Sequence, residues 1–393
     1  MKRRILFAMV EAGNGHKAPA MALKEGFEQL YPGEYDIDVL DICVATGDNF
    51  LDWQHKNGWN WLLRHPRITY YGQRVIDNAI PTFVTRYIQG VVLHKHTRNA
   101  SRFVSECDYD LLVATHFYPL QALSNAKKRH GLKAPIVGFN SDPFDGHALW
   151  AERNMDCLIT SSQKSKERLI SQGVPAEKVV VIGYPLSLRY TQIQASKEEA
   201  RAELGLSEDK LTVLHSAGGE GLGGQLEAFV EATLKADLDL QYAVVCGRNE
   251  GLYEELVALK ERYPNSATQL IPLGFVTNMN TWISASDLVL GKAGAASTFE
   301  PLVLGRPIFH TSYAAFNEKT NIDFCIEQGI GAYVDTPQEL VKRLRSYVND
   351  PQPLSDLSVK IQALNSSLNT SGSTLEIVKY LHSHYLEAIP KAA

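Results

Sequence analysis

At 393 residues the chain exceeds the size of one ordinary hydrophobic core, so we expect two domains. Its composition, 45% hydrophobic and 21% charged, is typical of a soluble globular protein, and the net charge of −5 argues against a general nucleic-acid binder. The five cysteines are widely spaced and form no Cys-x-x-Cys pair, which indicates reduced thiols in a cytosolic protein without a zinc site.

The first half of the chain alternates strand and helix patterns. An apolar run at residues 5–10 has the length of a strand and is too short for a signal-peptide core, and a glycine turn at residues 13–15 follows. Leu23, Phe27 and Leu30 then recur at the spacing of an amphipathic helix. Near-continuous apolar strands separated by helices predict a parallel sheet covered on both faces. Further strands are predicted at residues 37–42, 111–115, 136–139, 157–160 and 179–182.

Residues 50–103 interrupt this alternation with an aromatic and basic segment. Eight lysines and arginines stand against Asp52 and Asp77, which gives a local charge of +6 in an acidic chain. Amphipathic segments rich in Trp, Leu and Arg suit the headgroup layer of an anionic membrane. Helices packed on the sheet, with their arginines in solvent, explain the same composition. The candidates for membrane or acceptor contact are Trp59, Trp61, Arg64, Arg67 and Arg74.

The strand pattern restarts after residue 190. Two doubly wound parallel sheets, each opening with a strand and a glycine turn, predict an α/β protein of two Rossmann-like domains. We expect a first domain at residues 1–188, a second at 189–370, and a helix within 371–393 that could pack back on the first domain. The strands of the second sheet are predicted at residues 211–215, 242–246, 269–273, 288–290, 308–309 and 332–334.

Polar residues follow several strands of the first predicted sheet at its carboxyl edge, where open parallel sheets bind ligands. Gly15 permits close approach of a ligand, and His16 lies at a helix N-terminus that favours a neutral imidazole. A neutral histidine can take a proton from a hydroxyl, although His16 could instead cap the turn or contact a phosphate. Glu11 could orient His16 or act as the base itself. Asp142, a further candidate catalytic residue, opens another polar segment, which an ordinary loop also explains.

An apolar strand, a small-residue turn and a helix follow one another between residues 288 and 301. This order presents backbone N–H groups and the positive end of a helix dipole to an anion. Glu300 would lie about one and a half turns into the helix, where it can reach a polyol such as ribose. The glycine-rich residues 216–224, which include Gly219, are either a second phosphate-facing loop or a plain connection.

The glycine turn before His16, the loop at residues 142–150 and the block at residues 292–300 occur together in one known family. With them the chain resembles the monogalactosyldiacylglycerol synthases and processive diacylglycerol glucosyltransferases, which are family 28-like glycosyltransferases. It is similar, more distantly, to the peptidoglycan enzyme that adds N-acetylglucosamine to lipid I. The resemblance extends over roughly residues 4–345 and implies a GT-B fold, with two Rossmann-like domains facing an interdomain cleft.

The resemblance also implies roles for individual residues. The backbone of Phe275 and Val276 would hold uracil, Glu300 the ribose hydroxyls, and Lys292 would lie near the diphosphate, while His16 would lie at the acceptor hydroxyl. The family usually has glutamine where this chain has Asn317, so the sugar stays undefined. The diphosphate would face Gly294, Ala295, Ala296 and Ser297, and the sugar hydroxyls would face Asn317, Glu318 and Asn321.

These features predict an inverting glycosyltransferase that moves a hexose from a UDP-sugar to a lipid hydroxyl, with diacylglycerol as the expected acceptor. Glycine loops and a helix N-terminus would stabilise the UDP leaving group, so we expect no metal and no other cofactor. We expect a cytoplasmic protein, peripheral on the inner face of an anionic membrane, that does not bind nucleic acid. The alternatives are a UDP-sugar 2-epimerase of the same fold and a non-catalytic UDP-sugar sensor that docks on membranes.

Overall fold

The computed structural model describes residues 2–11, 14–192, 195–219, 221, 225–313, 315–368 and 370–387. The chain divides into two compact units. The first comprises Met1–Leu188, Ala314–Thr320 and Gly372–Ala393, and the second comprises Arg189–Tyr313 and Asn321–Ser371. The division after Leu188 coincides with the boundary expected from the sequence, whereas the grouping of residues 314–320 with the first unit had no signal in the sequence.

The first unit is built on a parallel sheet of six strands in the order β2-β1-β3-β4-β5-β6. Every residue of β3, β4 and β5 is buried, as expected for parallel strands covered on both faces. Because β2 and β3 lie on opposite sides of β1, the direction of strand addition reverses there. The strands are β1 (Arg3–Met9), β2 (Tyr35–Asp41), β3 (Leu111–Ala114), β4 (Ile136–Phe139), β5 (Cys157–Thr160) and β6 (Val179–Val181).

The second unit has its own six-stranded parallel sheet, in the order β12-β11-β10-β7-β8-β9. Here the order reverses between β7 and β10. Each strand predicted from the sequence is present in one of the two sheets, with ends shifted by a few residues at most, and the predicted α/β class is confirmed. The strands are β7 (Leu211–Ser216), β8 (Leu240–Val245), β9 (Gln269–Leu273), β10 (Leu288–Lys292), β11 (Ile308–Ser312) and β12 (Gly331–Tyr333).

Helices cover the sheets, and several begin at side chains that accept a hydrogen bond from the first turn. Ser162 precedes α8, Thr336 precedes α15, and Ser196 precedes α9 in a capping box with Glu199. In chain order the helices are α1 (Asn14–Leu30), α2 (Ile42–Ala45), α3 (Asn49–Arg64), α4 (Pro66–Asn78), α5 (Thr82–Val92), α6 (His94–Cys107), α7 (Phe117–His130), α8 (Gln163–Ser171), α9 (Lys197–Leu204), α10 (Leu226–Lys235), α11 (Glu250–Arg262), α12 (Met279–Ala285), α13 (Ala295–Val303), α14 (Phe316–Glu327), α15 (Pro337–Asn349), α16 (Gln352–Leu368) and α17 (Ser373–Leu381), with short 3-10 helices at Ala148–Trp150, Ala176–Lys178 and Leu188–Tyr190 and a π-helical turn at His382–Leu386.

The C-terminal helix α17 packs on α1 within the first unit. A Cβ added at Gly26 of α1 would lie 2.9 Å from the side chain of Val378, so the two helices approach each other closely at this glycine. The ring of His382, just after α17, stacks on Tyr31 at 4.0 Å between ring centroids. This segment therefore contributes to the first core although it follows the second unit in sequence.

The aromatic and basic segment forms α3 to α6, in the connection from β2 to β3. Helix α6 packs into the core through buried residues that include Ala100 and Val104. Other side chains of the segment are exposed to solvent. Packing on the sheet therefore does not explain the whole composition of the segment, and neither does contact with a membrane. In the part of the chain that the structure describes, no helix is long and apolar enough to cross a bilayer. The exposed large apolar residues of residues 50–103 are Phe50, Trp53, Trp61, Ile68, Tyr71, Val75, Phe83, Tyr87, Ile88, Val91 and Val92.

Candidate functional site

His16 lies at the carboxyl edge of the first sheet, near the point where strand order reverses. It belongs to the first turn of α1, and its Nδ1 lies 3.0 Å from the carbonyl oxygen of Thr115, the residue after β3. The Ser141 hydroxyl, two residues after β4, lies 3.0 Å from the same nitrogen. The Thr115 hydroxyl donates in turn to the His16 carbonyl at 2.8 Å. Residues that follow two neighbouring strands, β3 and β4, therefore fix this one imidazole.

These contacts define the tautomer of His16. A carbonyl oxygen only accepts, so Nδ1 carries a hydrogen, and in the neutral ring Nε2 keeps its lone pair. Burial lowers the pKa of His16, and the Asp142 carboxylate and the Thr115 carbonyl only partly offset this effect. The imidazole is thus neutral at physiological pH, as a proton acceptor must be. Gly15 beside it is exposed, and a Cβ added there would meet no atom within 4 Å, so the approach is open.

Glu11 is less well placed to orient His16. Its carboxylate forms an exposed ion pair with Lys17 at 2.9 Å, and its backbone N–H donates to Asp41 at 2.9 Å. The orienting contacts of His16 come instead from Thr115 and Ser141. Ser141 carried no signal in the sequence, because its role depends on a contact with a residue 125 positions away.

Asp142 is buried at the centre of a polar network. Its Oδ2 accepts a hydrogen bond from the indole N–H of Trp150 at 2.7 Å and lies 3.1 Å from Nε2 of His147, while its Oδ1 accepts one from the Asn317 amide. Burial alone would raise the pKa of Asp142, but the partners His147, Asn317 and Trp150 hold it below its usual value. Burial likewise opposes charge on His147, yet Asp142 raises the pKa of that histidine. An ionised carboxylate with these partners is better suited to positioning Asn317 than to accepting a proton.

The residues predicted to contact a membrane are described only in part. Trp61 is 50% exposed and Arg74 is also exposed, whereas the side chains of Trp59, Arg64 and Arg67 lie outside the described residues. A cavity of about 340 Å³ lies beside the exposed residues Phe83, Tyr87 and Val91 of α5. One acidic residue, Glu152, also lines the cavity. Its basic lining residues are Arg86, Lys128, Arg129 and Arg153.

Two turns meet in the second unit where its strand order reverses, between β7 and β10. The first follows β7 and contains Gly218 at φ +77° and the exposed Gly219. It is braced by the turn after β8, because the N–H of Arg248 donates to the Gly219 carbonyl at 3.0 Å. A Cβ on Gly247 would lie 2.4 Å from the Gly218 carbonyl oxygen, so this close approach requires glycine.

The second turn runs from Lys292, the last residue of β10, into α13. Gly294 is the N-cap and gives no side-chain cap, so the first N–H groups of the helix, at Ala295, Ala296 and Ser297, have no intrahelical partner. A Cβ on Gly294 would meet no atom nearer than 3.6 Å, which leaves space in front of the helix end.

Two buried polar residues donate hydrogen bonds to backbone carbonyls of this turn. The Thr298 hydroxyl donates to the Gly294 carbonyl at 2.8 Å and lies 3.0 Å from Nε2 of His310 on β11. The Asn321 amide donates to the carbonyl of Ala293 at 2.8 Å. Asn321 is 2% exposed and braces the turn, and its expected contact with the sugar hydroxyls stays a prediction. Glu318 and Asn317 precede it in the first turn of α14.

Glu300 lies about one and a half turns into α13, as the sequence predicts. Burial raises the pKa of its carboxyl to about 7, although a hydrogen bond from Tyr190 and the charge of Arg189 both act to lower it. Phe275 and Val276 follow β9, and the Phe275 ring is exposed with the Arg248 guanidinium 4.8 Å from its centre. Tyr190 and Arg248 had no signal in the sequence.

No group of three or more His, Cys, Asp or Glu side chains with the arrangement of a metal site occurs among the residues that the structure describes. Two aspartates, Asp36 and Asp38, alternate along β2. Asp38 binds Arg4 at 3.0 Å and the Tyr109 hydroxyl at 2.8 Å.

Both halves of the chain are similar to known protein families. The family model of monogalactosyldiacylglycerol (MGDG) synthase matches residues 16–186, and that of the glycosyltransferase family 28 C-terminal domain matches residues 224–319. The chain is 27% identical over 387 residues to the chloroplastic MGDG synthase of Spinacia oleracea, covering 91% of this chain and 69% of that protein. For MGDG synthase 1 of Arabidopsis thaliana the identity is also 27%, over 86% of this chain and 64% of that protein. The chain thus spans about two thirds of the length of these relatives.

Solved structures share the fold at low identity. Acinetobacter baumannii MurG superposes with a TM-score of 0.63 at 17% identity, covering 97% of this chain and 99% of that chain. Anabaena Alr3699/HepE in complex with UDP-glucose gives 0.55 at 17% identity, with the same coverage of 97% and 99%. UDP-GlcNAc 2-epimerase from Neisseria meningitidis, bound to UDP-GlcNAc, gives 0.59 at 12% identity, covering 97% and 100%. At such identities these structures support the fold alone.

The two parallel sheets, with their turns at the carboxyl edges, have the architecture of the GT-B fold. The two family matches place it more closely. Together the matches to the MGDG synthase and family 28 models cover most of the chain, so it is a glycosyltransferase, and the resemblance to the MGDG synthase group found in its sequence is confirmed.

Proposed function

We propose that this enzyme transfers a hexose from a UDP-sugar to the hydroxyl of a lipid acceptor, diacylglycerol being the first candidate, with inversion at the anomeric carbon. The observation that carries the proposal is the geometry of α13. N–H groups without a partner within the helix, at Ala295, Ala296 and Ser297, offer an anion site beside Gly294, and a carboxyl group follows on the same helix. A nucleoside diphosphate presents both a diphosphate and a ribose diol to such a helix.

The donor assignment follows from this arrangement. The diphosphate would face residues 294–297 with Lys292 nearby, and Glu300 would accept hydrogen bonds from the ribose hydroxyls. Phe275 and Val276, on the loop after β9, would hold the base. The structurally similar Anabaena protein was solved in complex with UDP-glucose, a donor of this class. Helix dipole and backbone N–H groups would stabilise the leaving UDP without a metal.

His16 would act as the base. The acceptor hydroxyl attacks C1 of the sugar from the face opposite the diphosphate, and its proton passes to Nε2 of His16. The bond between C1 and the diphosphate oxygen breaks, UDP leaves, and the configuration at C1 inverts. Burial lowers the pKa of His16, so the ring is ready to accept the proton at neutral pH. Asp142 would hold Asn317 toward the sugar rather than take the proton itself.

The acceptor would be reached from a membrane surface, on its inner face in the cell. Phe83, Tyr87 and Val91 project from one side of α5 and are all exposed. The basic cavity beside them would meet anionic headgroups while the apolar side chains enter the interfacial layer. Peripheral docking of this kind brings a lipid hydroxyl to a protein without a spanning helix.

The test is a donor panel with purified protein and vesicles that do or do not contain diacylglycerol. We expect UDP release that requires diacylglycerol, together with a glycolipid product in which the new linkage has the opposite anomeric configuration to the donor. Conversion of the UDP-sugar to an epimer without acceptor would favour the 2-epimerase alternative, which shares the fold. UDP-sugar binding without turnover on any acceptor would favour the sensor.

A further inference from the structure

The short 3-10 helix Leu188–Tyr190 marks the passage of the chain from the first unit to the second, and its last two residues contact the proposed nucleoside site. The Arg189 guanidinium donates from Nη1 to the carbonyl of Thr277 at 2.9 Å, one residue after Val276. The Tyr190 hydroxyl donates to the Glu300 carboxylate. Both residues belong to the second unit, so these contacts lie within it.

We propose that Arg189 and Tyr190 are positioning residues for the donor nucleoside. Tyr190 would fix the carboxylate that receives the ribose hydroxyls, and Arg189 would fix the loop that holds the base. This inference rests on the proposed role of Glu300 in ribose binding, and the experiment below separates the two.

Burial makes the contact between Tyr190 and Glu300 specific. Tyr190 is 8% exposed, so its hydroxyl cannot freely exchange the carboxylate for water. Burial raises the pKa of Tyr190, which keeps the phenol protonated and able to donate. A ribose hydroxyl arriving at Glu300 would find a carboxylate already oriented by one hydrogen bond, with further acceptor positions left.

The charged surroundings of Glu300 are simple among the described residues. The 3-10 helix contributes Tyr190 and Arg189, whose hydrogen bond and charge both stabilise the ionised carboxyl. Of the elements packed on α13, α12 has no titratable side chain and β10 ends in Lys292. On β11, burial lowers the pKa of His310 to about 3, and its Nε2 is engaged with Thr298. On α16, Asp356 and Lys360 are both exposed.

Protonation of Glu300 should weaken nucleoside binding. Ionised Glu300 accepts the ribose hydroxyls better than the protonated acid, so nucleoside affinity should fall as the pH drops through a pKa of about 7. Tyr190→Phe removes a hydrogen bond that favours the ionised form, so the pKa rises and the midpoint moves to higher pH. The variant should therefore bind as the parent does at high pH and more weakly near neutrality.

The experiment measures uridine binding by calorimetry across about pH 5 to 9. Uridine is the probe because it has no phosphate to titrate in the same range. For Tyr190→Phe we expect a midpoint about half a pH unit higher and roughly twofold weaker binding at neutral pH. Glu300→Gln should remove the pH dependence, and adding Tyr190→Phe to it should change nothing further. Tyr263→Phe is the matched control, because the Tyr263 hydroxyl donates to Glu231 at 3.0 Å elsewhere in the second unit.

The outcomes separate the two levels of inference. Absence of uridine binding to the parent would overturn the proposed donor site itself. A parent with the expected midpoint and a Tyr190→Phe variant with the same midpoint would overturn the positioning role. Equal weakening at every pH would also overturn it, because that result indicates general loosening. Arg189→Gln should weaken uridine binding at all pH values through the loop and should also raise the midpoint, because the Arg189 charge favours ionised Glu300. An unchanged affinity would remove Arg189 from the proposal.

Discussion

At the scale of single residues, the partners of a side chain decide which chemistry it can do. His16 and Asp142 both follow strands of one sheet, and sequence alone made either a candidate base. The structure gives His16 a carbonyl partner on Nδ1, which leaves Nε2 as an acceptor. It gives Asp142 donors on both oxygens, which stabilise its ionised form. The two residues therefore separate into a proton acceptor and a positioning group.

His16→Ala should lower turnover by roughly 100-fold or more while UDP binding stays intact, because it removes the base but no donor contact. Steady-state rates with saturating donor, together with calorimetry of UDP, measure the two quantities. Ser141→Ala removes only one of the two anchors of Nδ1 and should cost less than loss of the imidazole. Near-normal turnover of His16→Ala would transfer the role to Glu11 or Asp142.

Glu300→Ala should weaken donor binding by about 1–3 kcal/mol, the usual loss for a hydrogen bond to a charged group. The effect should appear for UDP, UDP-sugar and uridine alike, because all three present the ribose diol. Phosphate ions lack the diol and should not distinguish the variant from the parent. UDP affinity that is unchanged in calorimetry would exclude Glu300 from the site.

At the scale of helices and strands, sequence patterns predict much of the architecture. Apolar runs of strand length predicted every strand of both sheets, because parallel strands buried on two faces admit few polar residues. The turn after β10 was also predictable, since small residues and a glutamate-bearing helix follow directly in the chain. The braces behind that turn were not, because Thr298, His310 and Asn321 act through contacts between separate elements.

The anion site at α13 yields a prediction about metals. If the helix N-terminus and the glycine turns hold the diphosphate, EDTA should leave the initial rate nearly unchanged. The measurement is the rate of UDP release before and after addition of EDTA, and again after addition of magnesium or manganese. Abolition by EDTA and rescue by either ion would contradict a leaving group stabilised by the backbone alone.

At the scale of the whole molecule, charge and apolar surface are distributed unevenly. The chain carries a net charge of −5, yet the segment from residue 50 to 103 is basic and exposes most of its aromatic residues. The sequence pointed to this segment but not to the faces that are exposed, because a helical pattern does not tell which side a neighbour covers. In the structure an exposed face of α5 lies beside a basic cavity formed with residues from α7 and the loop at residues 152–154.

The α5 face should therefore control binding to anionic vesicles. Phe83 and Tyr87 are 68% and 73% exposed, and each could contribute about 1.5–3 kcal/mol on entering an apolar layer. Changing both to serine should lower partitioning onto anionic vesicles by at least about tenfold, while UDP affinity and the thermal midpoint stay close to the parent. Val359→Ser on α16 is the matched control, since Val359 is 65% exposed in the second unit. Added salt should weaken binding of the parent by screening the basic cavity, and it should weaken that of the Phe83 and Tyr87 variant in the same proportion. Vesicle sedimentation that does not distinguish this variant from the Val359 control would mean that the α5 face is merely solvated and that the lipid acceptor arrives by another surface.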